Sequence, residues 1–101
     1  MAIFYRTDGF VKNVLGVAIA GAKVYICTQP ANTAFIPPSP LASIFSDPAG
    51  LAPIVQPIVT DGFGHYSYYA LSGFYTEVVA NQGKVQQVYP DQTVGLPGTG
   101  L

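Results

Sequence analysis

Glycine and proline recur so densely along this chain that nowhere do apolar residues keep three-to-four spacing over ten or more positions. The pattern predicts almost no helix. It leaves short runs rich in Val, Ile, Tyr and Phe, each bounded by turn-forming residues, as in antiparallel sandwiches. A length of 101 residues admits one core of this kind and no second. The expected fold is therefore all-β, a single antiparallel β-sandwich of about seven strands, occupying residues 9–89. Extended arms are expected at 1–8 and 90–101.

The expected strands begin with Gly9 to Leu15, followed by Ala22 to Thr28. In the second, Ala22, Val24 and Ile26 share one face by the two-residue period and form the expected core set, whereas Lys23, Tyr25 and Cys27 share the other. Seven of the nine prolines lie between Gln29 and Pro57, and proline cannot donate to a central ladder. That stretch is expected to be loop, edge strand or arm, with Ser43 to Ser46 its one short strand. Ile58 to Thr60, His65 to Ala70, Phe74 to Ala80 and Val85 to Tyr89 complete the set. The turns between them are Asp61-Gly62-Phe63-Gly64, Ser72-Gly73 and Asn81-Gln82-Gly83-Lys84. By register, Tyr66, Tyr68 and Val79 join Val24 and Ile26 in the core.

Charged residues make up only 9% of the chain, far below the usual share of about 25%. A surface so poor in charge is expected to rest against other proteins or further copies of the chain. Four Lys/Arg against five Asp/Glu give a net charge of -1, with neither a basic stripe for nucleic acid nor an acidic tail. The longest apolar stretch, Val14 to Ala22, is broken by two glycines and is too short to span a bilayer, so no membrane insertion is expected. No secretory leader is read at the amino terminus, and Cys27 is the one cysteine, which fits synthesis in a reducing cytoplasm.

Two stretches resemble a known family. Gly21-Ala22-Lys23-Val24-Tyr25-Ile26 is similar to a strand of carboxypeptidase-regulatory-like and collagen-adhesin B-type domains. Asp61-Gly62-Phe63-Gly64-His65-Tyr66-Ser67-Tyr68, followed by Ser72 to Val78, resembles their aromatic hairpin. The resemblance implies an Ig-like or transthyretin-like Greek key. A narrower resemblance covers Ala42 to Leu51 and Gln56 to Gly64, similar to a repeat in small β modules of tailed-phage virion proteins, with Gln56 where that pattern has Asn. It implies a non-enzymatic structural component of a virion (tail, fibre, collar or head decoration), made in the host cytoplasm. The partners implied are other virion proteins and copies of itself. The alternative is an adhesion module binding carbohydrate or a host-surface glycan through Tyr66, Tyr68, Tyr69 and Tyr75.

No catalytic set assembles in the sequence. His65 is the only histidine and has Ser67 two residues on, without a nucleophile-elbow context. One His, one Cys and scattered carboxylates give no metal-ligand spacing, so neither a metal nor another cofactor is expected. The Asp residues before glycine-rich turns are read as turn formers. Glu77 stands where the adhesin pattern has an apolar residue. It is expected to face a neighbouring subunit or solvent, while the adhesin resemblance leaves open an isopeptide bond of Lys12 or Lys23 promoted by this acid. The residues expected to dock the chain are Ile3, Phe4 and Tyr5 in one arm, Phe35 and Ile36 in the Pro-rich loop, and Val94, Leu96 and Leu101 in the other arm.

Overall fold

The computed structural model describes residues 4–13, 15–81 and 83–95. Its elements are seven strands: β1 (Phe4–Phe10), β2 (Lys23–Asn32), β3 (Ser39–Leu41), β4 (Ile58–Val59), β5 (His65–Leu71), β6 (Gly73–Asn81) and β7 (Lys84–Val94). They form two antiparallel sheets. One pairs β1 with β5; the other has the order β3-β2-β6-β7, with β4 also on β2. β5 and β6 follow each other through the Ser72 turn yet belong to different sheets, so the chain crosses the sandwich there.

The core lies between the sheets, where Tyr66, Tyr68 and Ala70 of β5 meet Val24 and Ile26 of β2 and Val79 of β6. Each of the larger apolar side chains here contributes about 1.5–3 kcal/mol by leaving water. The expected core positions are thus all buried. The opposite face of β2 is also covered: Tyr25 packs with Val78, Ala80 and Val85, and Cys27 is fully buried. Burial pushes the Cys27 thiol pKa up, which keeps it a neutral packing group.

Two local devices shape the sheets. Gly9 lies opposite Tyr66, and a Cβ there would collide with the tyrosine ring, so this glycine makes room for a core aromatic. Along β2 the outer edge is shared, with β4 pairing at Lys23 and Val24 and β3 at Cys27 and Asn32. Between them the Gln56 side chain takes the place of a strand. Its Oε1 accepts from the Ile26 N–H at 2.7 Å, and its Nε2 donates to the Ile26 and Ala42 carbonyls at 2.9 and 2.7 Å.

Several expected boundaries are corrected. The first strand is not Gly9 to Leu15 but Phe4–Phe10, because Asn13 ends the run: its side-chain oxygen accepts from the Leu15 and Val17 N–H groups and closes a turn. Residues 4–8 are therefore a strand on their own domain, not an arm. Likewise β7 runs through Pro90 to Val94, with Asp91 at φ 59 and register shifts against β6, so residues 90–94 belong to the sheet. A bulge lets the proline sit in an outer strand without breaking it. Ser43 to Ser46 supplies only single bridges, from Phe45 to Tyr69 and to Pro53.

Candidate assembly surface

Glu77 faces inward and is 4% exposed, which corrects the expectation of a solvent or subunit contact. The Tyr66 and Tyr68 hydroxyls donate to its two carboxylate oxygens at 2.5 and 2.6 Å. Burial, reinforced by the Glu77 charge, raises both phenol pKa values well above the usual tyrosine range. Lys12 and Lys23 are exposed, and Lys23 lies on the other face of its strand, so neither meets Glu77 as an isopeptide partner would. The Tyr75 hydroxyl is also turned inward, donating to the Leu71 carbonyl at 2.7 Å. Of the four tyrosines named for sugar stacking, only Tyr69 is not buried.

On the outer face of the β1–β5 sheet, Arg6 donates to Asp8 at 2.9 Å. The two ring nitrogens of His65 stand 3.7 Å from Asp8 and 3.8 Å from Asp61, beyond hydrogen-bond reach. Asp61 accepts instead from the backbone N–H groups of Phe63 and His65, which lower its pKa. Asp47 does the same for Leu51 and Ala52. Asp47 and Asp61 are thus turn formers, as expected, whereas Asp8 and Asp91, also expected at turns, lie within β1 and β7. Among the described residues no group of three or more His, Cys, Asp or Glu is placed to hold a metal ion.

The expected docking residues divide. Phe35 and Ile36 are exposed in the Pro-rich loop. Phe4 packs edge-on against Phe45 with ring centroids 4.7 Å apart, and Val94 is buried in the core, so these two are corrected from arm contacts to intramolecular ones. Tyr5 lies in β1 beside Gly95 and stays exposed. Ile3, Leu96 and Leu101 lie outside the described residues.

A second apolar group was not singled out by the sequence. Residues 11–13 and 15–19 make a hairpin-like loop against the Asp61–Gly64 turn, held by Val11 N–H to Gly64 O at 2.8 Å and Ile19 N–H to Val11 O at 2.9 Å. Gly64 has φ 73, and a Cβ there would press on the Val11 carbonyl. The two loops place Leu15, Val17, Phe63 and, at the end of β1, Phe10 at one pole of the sandwich, each more than half exposed. The usable signal was Asn13 and Gly16 flanking Leu15, a turn signature that an apolar run obscures.

A shallow groove of about 530 Å³ runs along β2 and β7 past Gln29, Thr76 and Asp91. Its polar groups bond one another: Gln29 accepts from the Thr76 hydroxyl and the Asp91 N–H, and donates to the Asp91 carboxylate. No family model, curated protein or solved structure matches the chain.

Proposed function

We propose that this chain is a non-enzymatic structural module that acts by docking to other proteins, as a component of a tailed-phage virion. The observation that supports docking is the surface. Fifteen large hydrophobic side chains are 38% exposed or more among the described residues, on a chain with nine charged residues in all. The virion setting rests on the resemblance of the Ala42–Leu51 and Gln56–Gly64 segments. Docking is assigned to the Pro-rich loop at Phe35 and Ile36, since the described parts of the two ends are folded onto their own domain. Counting this chain in purified particles by mass tests the reading. A fixed copy number is expected, lowered by the double variant Phe35→Ser/Ile36→Ser with its thermal unfolding unchanged. Particles that lack the chain would overturn the virion role, and full incorporation of the double variant would overturn the loop's part in it.

A further inference from the structure

We propose that the pole carrying Leu15, Val17 and Phe63 is a peripheral docking tip for an anionic lipid surface. The apolar contribution comes from convex loops: Leu15 is 83% exposed at the hairpin turn, Phe63 78% in the neighbouring turn, Phe10 62% and Val17 58%. Side chains that protrude from two adjacent turns are shaped to enter the headgroup boundary of a bilayer rather than to fill a flat interface.

Charge selects the partner. Strand register places three of the four cations at this same pole: Lys12 at the hairpin base, Lys23 opposite Ala80 and Val59, and Lys84 opposite Asn81 at the β6–β7 turn. All three are exposed, and none forms a salt bridge among the described residues. Of the acids nearby, Asp8 is paired with Arg6, while Asp61, held by the backbone N–H groups of its own turn, keeps its negative charge. Three lysines against that one unpaired carboxylate leave the pole net positive around an apolar tip. Protein interfaces are depleted in lysine, whereas a lipid surface accepts its stem into the interface and its ammonium among the phosphates. That contrast favours anionic lipid over a second copy of the chain. The tip lies apart from Phe35 and Ile36, so this role is separate from the docking assigned to the Pro-rich loop.

The test is sedimentation of the 101-residue chain with phosphatidylcholine vesicles, alone or with about a third phosphatidylglycerol. Binding is expected to be roughly tenfold or more stronger to the anionic vesicles, and to fall steeply as salt rises to about 0.5 M, where screening shortens to a few ångströms. The charge reversal Lys12→Glu/Lys23→Glu/Lys84→Glu should abolish it. Leu15→Ser/Phe63→Ser, at exposed turn positions, should weaken it at least severalfold while the unfolding transition and the particle incorporation of the chain stay unchanged. Equal binding to both vesicle types, no binding to either, or full binding by the charge-reversed variant would overturn the proposal. So would loss of self-association in the Leu15→Ser/Phe63→Ser variant, which would make the pole a protein contact.

Discussion

Two tyrosine hydroxyls are the side-chain donors that reach the Glu77 carboxylate, and no cation accompanies them among the described residues. Removing the acid leaves two buried hydroxyls without an acceptor, so Glu77→Ala is expected to cost roughly 3 kcal/mol, read from urea midpoints at constant m. The same contacts give an alkaline limit. An unfolded tyrosine ionises near pH 10.0, whereas Tyr66 and Tyr68, raised by burial and by Glu77, and Tyr75, raised by burial, hold their protons longer in the folded chain. Their contribution is thus fully present below about pH 10 and is lost as pH rises above it toward the folded values. The buried Cys27 thiol adds to the same loss, and the slope of stability against pH in that range is expected to become shallower in Tyr66→Phe, followed by denaturant titrations at several alkaline pH values. An unchanged slope would contradict the buried pair. Sequence alternation placed both tyrosines inward, but it could not show that Glu77 meets them. Their strands lie in different sheets, and only packing across the sandwich brings positions 66, 68 and 77 together.

The strand set shows where local pattern suffices. β2 and β6, central in their sheet, and β5, which turns alternate side chains onto the facing sheet, run apolar or alternate because the core demands it. β5 and β6 were legible nearly to the residue, while β2 runs four residues past its expected end at Thr28, through Pro30 to Asn32. Of the outer strands, β1 was placed five residues too late and β7 was read short, since Arg6, Asp8, Pro90 and Asp91 look like loop residues until a partner strand is supplied. Gln56 was noticed only as a departure from the phage-module pattern. Its amide, placed between β4 and β3, is a tertiary substitute for a ladder and has no local signature. Gln56→Ala should leave the part-buried Ile26 N–H without its acceptor and lower stability by about 1–3 kcal/mol. Gln56→Glu should cost more at neutral pH, because a carboxylate cannot donate to the Ile26 and Ala42 carbonyls. Paired thermal melts of the two variants distinguish this plug from simple side-chain packing, which would treat the near-isosteric Glu variant more gently.

At the scale of the whole molecule, nine charged residues spread over 101 leave little repulsion between copies. Sedimentation at rising concentration is expected to show growing mass, suppressed by Phe35→Ser/Ile36→Ser; a monomer at all concentrations would count against the docking role. The hairpin that carries Leu15 and Val17 has a different consequence. It is anchored to the body by a few backbone bonds at Val11, Ile19 and Gly64, and beyond them Leu15, Gly16 and Val17 are exposed. Its tip is thus read by whatever it touches and not by the core. Adding a short glycine-serine stretch between Leu15 and Gly16 should lower the melting temperature only slightly, because doubling a surface loop costs about 0.6 kcal/mol and the bonds lost, Asn13 to Val17 and Gly16, are exposed ones. Foldability and contact specificity are in this way uncoupled, and a lineage of such chains can rewrite what it adheres to by editing one turn while inheriting the rest intact.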